Sequence, residues 1–276
     1  MPLRNPVFLD MATLAAHGEY NDVVVPRAAE IVEKTVSKRG GTMGVGIGAA
    51  TLGGTLGKDI EFQASYSLTP TDKATVSRLI DGLHTQGVIQ ATTGSTPYAR
   101  GELLELEGDA SVTGCSIAAK LFYLALQVIR ETDQSLDDLD TDALEPQFLA
   151  LAKDVYLGNA ALPIPLLMEL ENTELTPRVF LNLAPDHFVD SAATDRVEGH
   201  IQVLGSISQL VAENRYLTAE HWLLHGWEQT MRRTLMTRVD EMVADLVEAF
   251  DVDLPNDDVR AYFTGPAIVL DAIAVY

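Results

Sequence analysis

LTPTDKATVSRLIDGLHTQGVIQ, residues 68–90, spells out a passage from helix to strand. Thr69 followed by Pro70 is a helix opening, because proline suits the first turn. Val76, Leu79, Ile80 and Leu83 then recur at helical spacing, which predicts one apolar face. Gly87 ends the helix. Val88–Thr92 (VIQAT) reads as a strand. Gly94–Gly101 reads as a turn, and Glu102–Leu106 (ELLEL) as the strand that returns from it.

On the N-terminal side, Glu61–Leu68 alternates, with Phe62, Ala64, Tyr66 and Leu68 on one face, which predicts a strand. Earlier, Pro6–Asp10 reads as a short strand. Asp10 is placed to cap a helix over Met11–His17, which Gly18 would end. Asp22–Val25 leads to Pro26 and a second helix through Ser37. On the C-terminal side, Ser111–Ser116 extends the sheet. Ile117–Ile129 is apolar almost all round, which predicts a buried helix. Phe148–Leu157 reads as a shorter helix. Pro163–Leu170, Val179–Leu183 and Val197–Leu204 read as strands. Thr218 is placed to cap a long helix to Phe250. Ala267–Tyr276 is a nearly continuous apolar run, as in a strand covered on both faces.

Between the first helices and the quoted stretch lies a glycine-rich segment. Met43, Gly44, Val45, Gly46, Ile47, Gly48 and Leu52 are its centre. A phosphate loop needs G-x-x-x-x-G-K-[ST]. Here Leu52 occupies the first glycine position, and Asp59 follows Gly57-Lys58. The dinucleotide fingerprint fails as well, because Thr51 stands where its third glycine belongs. Two readings remain. One is a small-residue strand, with Gly44, Gly46 and Gly48 on one face and Val45 and Ile47 on the other, whose register is weakly specified. The other is a flexible apolar contact for a partner. These seven residues are the candidate partner-binding site. No charged amphipathic face accompanies them, so support for contact with a membrane surface is weak.

Leu68–Gln90 is similar to the end of a winged helix-turn-helix, with Gly94–Arg100 as the wing tip. That resemblance implies a winged-helix-like unit and, as one alternative, a DNA-binding regulator. Duplex binding needs cations on the helix and wing. Only Lys73, Arg78 and Arg100 are available, against Asp72 and Asp81, so nucleic acid is disfavoured as a partner and protein contact is the better reading.

The charge map divides the chain. Residues 1–100 hold nine basic and nine acidic side chains, and residues 101–276 hold ten and thirty-one, which carries the whole net charge of −21. Such a balance bears on solubility and association, not on fold. Six Lys stand against thirteen Arg and twenty-two Asp, which fits a salt-loving source or a GC-rich genome. The single cysteine, Cys115, excludes an intramolecular disulfide and fits a reducing compartment. MPLRNPVFLD carries no apolar core of a secretory signal. No run of about 18 apolar residues exists for a spanning helix. The expected location is cytoplasmic.

No catalytic signature emerges. His221 and His225 stand at i, i+4, but Trp222 replaces the glutamate of the zincin pattern. Asp138, Asp140 and Asp142 resemble a calcium loop until Ala143 takes the glycine position and Leu149 the glutamate position. Asp251, Asp253, Asp257 and Asp258 lack the spacing. These acids read as solvated faces. Neither G-x-S-x-G nor a Cys-His signature is present. No metal and no cofactor is expected.

Three features resemble an uncharacterised prokaryotic domain-of-unknown-function family: Leu9-Asp10 closing a first strand, the glycine-rich stretch Gly40–Gly57 after the charged helix Glu30–Arg39, and the closing strand Ala267–Tyr276. The turn at Leu104–Gly108 adds a fourth. The resemblance transfers no catalytic residue, and it implies a place in antiviral (anti-phage) defence. The expected architecture is α+β in two lobes. Residues 1–110 form a glycine-rich, winged-helix-like lobe, and residues 111–276 an acidic lobe with a mixed sheet and a long helix. The expected function is non-catalytic binding or regulation of a protein partner, or association with a second copy. An enzyme with an unrecognised site is the alternative.

Overall fold

The computed structural model of the chain describes residues 3–25, 28–33, 68–90, 98–114, 116, 165–189, 196–218, 230 and 262–276. In chain order its elements are β1 (Phe8–Leu9), α1 (Met11–Tyr20), α2 (Pro70–Thr85), β2 (Ile89–Gln90), β3 (Leu103–Val112), β4 (Leu166–Glu171), β5 (Arg178–Leu183), a 3-10 turn (Pro185–His187), β6 (Gly199–Val211), β7 (Tyr216–Thr218), β8 (Tyr262–Thr264) and β9 (Ala267–Val275). The α+β class holds, and the sheet is mixed. The glycine-rich residues 43–48 and 52, all but Leu68 of the strand expected at Glu61–Leu68, the helices expected at 117–129 and 148–157, Cys115, His221 and His225 lie outside the described residues. So do both acidic runs and all but Thr230 of the long helix expected after Thr218.

Five strands close on themselves. β3 pairs antiparallel with β4, and β4 with β5. β5 runs parallel to β9, β9 pairs antiparallel with β6, and β6 returns antiparallel to β3. The ring therefore follows the order β3-β4-β5-β9-β6. Its first four strands, β3, β4, β5 and β6, have Greek-key order, since β6 returns to lie beside β3. Closure leaves these strands without the exposed edges that open sheets must protect.

Alternation decides what fills the barrel. Leu104 and Leu106 on β3, Met168 and Leu170 on β4, Val179, Leu181 and Leu183 on β5, Val203 on β6, and Ile268 and Leu270 on β9 belong to one buried cluster. These positions differ by two within each strand, so they share the inward face. The remaining apolar positions point outward and need cover. Leu167, Phe180 and Val269 lie under the two-stranded ribbon β7–β8, against Leu217 and Phe263. Leu204, Ile273 and Ala274 lie under the helices, against Met11, Leu14, Leu79 and Leu83. β9 is thus buried on both faces except at Asp271, as its continuous apolar run predicts.

The helices form where the caps predict, with one difference. The Asp10 carboxylate accepts from the Thr13 backbone N–H at 3.1 Å and opens α1. Thr69 and Asp72 form a reciprocal capping box that opens α2. Gly18 does not end α1, which continues to Tyr20 and is capped by Asn21. The glycine serves packing instead: a Cβ there would lie 2.5 Å from Leu79 Cδ1. The turn after α2 uses Gly87 at φ +68° as expected.

Two further expectations are corrected. β2 and β3 pair parallel, Ile89 with Leu103 and Gln90 with Leu104. Arms of a hairpin are antiparallel, so β3 is not the return strand of a wing that begins at β2. β3 instead continues to Val112 and takes its antiparallel partners from β4 and β6. The boundary at residue 110 falls inside β3, and β1 pairs with β9. Strands from both sides of that boundary share one sheet. β6 is also longer than expected, because it runs to Val211 and is paired by β9 from Val203 to that end. No helix among the described residues is long and apolar enough to cross a membrane.

Candidate functional site

On β3 the inward residues Leu104 and Leu106 leave Glu105, Glu107 and Asp109 together on the opposite face. Glu105 and Glu107 of this acidic ladder form one wall of an open cleft of about 740 Å³. His84 from α2, Gln90 from β2, Asn172 and Glu174 from the turn after β4, and His200 and Gln202 from β6 complete the lining with Glu105 and Glu107. Apolar lining comes from Ile89 and Leu106.

The ladder changes character along its length. Glu105 is the buried end, its side chain 10 % exposed. Its Oε1 accepts from the Tyr276 hydroxyl, and its Oε2 is bonded to His84 Nε2. Arg4 Nη2 lies 3.5 Å from the same carboxylate, while Arg4 Nη1 donates to Asp81 at 2.6 Å. The Arg4 guanidinium also sits 5.3 Å from the Tyr276 ring centroid. Its backbone N–H donates to Ser77 Oγ at 2.9 Å. Residues from the two ends of the chain, from α2 and from the barrel therefore meet on one carboxylate. Both oxygens of the buried carboxylate are met by donors, as burial requires.

Glu107 and Asp109 form the wet end. His200 lies directly across from Asp109 in the β3–β6 register, and Gln202 across from Glu107. The His200 ring bridges the two acids. Nε2 is 2.8 Å from Glu107 Oε1, and Nδ1 is 3.1 Å from Asp109 Oδ1. Only the imidazolium can donate from both nitrogens at once. These two hydrogen bonds hold the His200 pKa above its ordinary value. Asp109 is held below its own, first by the Asn172 side chain and then by His200. Asn172 reaches it at 2.7 Å from a left-handed backbone turn at φ +56°, a conformation asparagine tolerates better than most residues.

The arrangement suits a cation. Two carboxylates face outward from one strand, and the neighbouring lining is polar or acidic apart from Ile89 and Leu106. Among the described residues no group of three His, Cys, Asp or Glu side chains could hold a metal ion. His200 turns its two nitrogens onto separate carboxylates instead of converging with them. Five-stranded Greek-key barrels of the oligonucleotide-binding type use the face of their second and third strands. Here those are β4 and β5. Their outward Leu167 and Phe180 are covered by β7–β8, and Arg178 is tied to Glu169 at 2.7 Å. Among the described residues, the cleft opens on the face built on β3 and β6.

None of the site-forming residues stands out in the sequence. The only local signal is the alternation E-L-E-G-D over 105–109. His84 and Glu105 are 21 residues apart, and Arg4 and Glu105 101 apart, so their meeting is tertiary. The candidate contact Met43–Gly48 with Leu52 lies outside the described residues. No protein-family model, no curated protein and no solved structure matches this chain.

Proposed function

We propose that this is a non-catalytic binding protein that takes a basic segment of a protein partner along the β3–β6 cleft. The observation that carries the reading is the cleft wall itself. Glu107 and Glu174 line it with no lysine or arginine among the lining residues, and Asp109 stands on the same strand face as Glu107. The same carboxylates repel phosphates, which argues against nucleic acid there. The groups at the Glu105 end are engaged with one another: His84 and Tyr276 bond its carboxylate, and Arg4 is shared between Glu105, Asp81 and Ser77. A Lys/Arg-rich decapeptide titrated by calorimetry at low salt should bind, and Glu107→Gln should weaken it about three- to tenfold. Equal binding of an acidic decapeptide, or of the basic one by the variant, would overturn the reading.

The glycine-rich segment is proposed as a second contact with the same partner or with another copy. Deleting residues 41–57 should lower native mass in light scattering, or abolish capture of the partner, while the far-ultraviolet spectrum keeps its β signature. Unchanged mass and unchanged capture would remove it. An enzyme remains the second reading, favoured by one contact: His84 in the cleft, oriented by Glu105 as a general base would be. It requires a turnover that His84→Gln abolishes without loss of fold.

A further inference from the structure

The cleft's own histidine competes with the cation that the cleft would bind. This inference rests on the proposed binding reading and concerns how that site is regulated. His200 does not sit beside an acid by chance of sequence: the β3–β6 register places it opposite Asp109 and diagonal to Glu107. Its two ring nitrogens occupy one oxygen of each acid, at 2.8 and 3.1 Å. Those are oxygens for which an incoming ammonium or guanidinium would compete. His200 is itself two-thirds exposed, with its side chain at 67 %, so it can swing away without disturbing the core.

We infer that His200 is a proton-controlled plug of the cleft, which closes the Glu107–Asp109 pair against basic partners when charged and releases it when neutral. The groups around it support that sense of action. From β3 it faces Glu107 and Asp109. Glu171 of β4 is registered opposite Asp109, and Glu174 follows in the turn. Glu198 precedes it on its own chain segment and accepts from the Val112 backbone N–H. Across the cleft stands His84 of α2, bonded to Glu105. Carboxylates thus dominate the surroundings and favour the imidazolium, in keeping with the upward displacement of its titration. Loss of that proton removes one positive charge from the wall and leaves the ring a single N–H, so one of the two carboxylates is released and the other is held by a neutral donor. Binding of a cation and protonation of His200 are linked, so each opposes the other.

The test is titration of the full chain with a Lys/Arg-rich decapeptide from pH 6 to pH 9 at low salt. Wild type should bind about three- to fivefold more tightly above the His200 titration than below it, the scale of one exposed unit charge at contact distance. His200→Gln keeps a hydrogen-bonding side chain without the charge. It should bind at every pH as wild type does at high pH. His200→Arg should bind weakly throughout. Binding that strengthens equally with pH in wild type and His200→Gln would assign the effect to His84 or another group and overturn the plug while leaving the binding reading intact. Binding with no pH dependence in wild type would do the same. No binding of the peptide at any pH, by either protein, would overturn both.

Discussion

Single side chains carry most of what distinguishes this molecule. Glu105 is the clearest case, because it serves Tyr276, His84 and Arg4 at once from a site that is nearly closed to water. Glu105→Ala strands three polar partners, and it should lower stability by about 1–3 kcal/mol in urea denaturation. Tyr276→Phe removes one of these bonds and should lose about 1 kcal/mol. Two histidines also give the stability a pH signature of opposite signs. His200 has a raised pKa in the fold. Its contribution is therefore complete below the ordinary value of 6.5 and fades as pH rises through the folded value. His17 is held below 6.5 by burial. Protonation then favours the unfolded chain, so stability falls as pH drops through 6.5 toward the folded value. Thermal melts of His200→Gln and His17→Gln across pH 5–8 should lose these slopes separately. Identical pH profiles for both variants and wild type would contradict the assignment. None of these partnerships could be read locally, because sequence separations of 21 to 171 residues hide them.

At the scale of elements, caps and periodicity were legible and close approach was not. Thr69-Pro70 and the stripe Val76, Leu79, Ile80, Leu83 place α2 correctly, because both signals lie within the helix. Gly18 was misread as a stop for a reason that the neighbouring helix supplies. α1 and α2 pack so closely that only a hydrogen fits between Gly18 and Leu79. Gly18→Ala should therefore destabilise the protein by about 1–3 kcal/mol through overpacking, although alanine is the better helix former by about 1 kcal/mol. Retained or increased stability would show that Leu79 relaxes without penalty. β3 was legible as a strand but not by partner. Its parallel neighbour β2 and its antiparallel neighbours β4 and β6 are alike in their alternation, and alternation does not encode direction.

For the whole molecule, the barrel makes one unit of what the charge map divides. Leu106 and Leu270 come from opposite sides of residue 110, yet they share the barrel interior. Leu106→Ala and Leu270→Ala should each lower the same unfolding transition by about 2–5 kcal/mol, followed through the tyrosines and by circular dichroism alike. Separate transitions, each moved by one variant, would restore two lobes. The sequence by itself determined the α+β class, the two helix starts, most strand cores and the double-sided burial of β9, because each is written in the spacing of neighbouring residues. It also determined that the excess of acids lies after residue 100. Only the tertiary structure decided that the strands close into a ring, that β3 is no wing, and that Glu105, His84, Arg4 and Tyr276 form one cluster beside the Glu107–His200–Asp109 bridge. Those outcomes depend on pairing between distant segments, where the gain from burying a shared core overcomes loop-closure entropy, and no local pattern records which segments will meet.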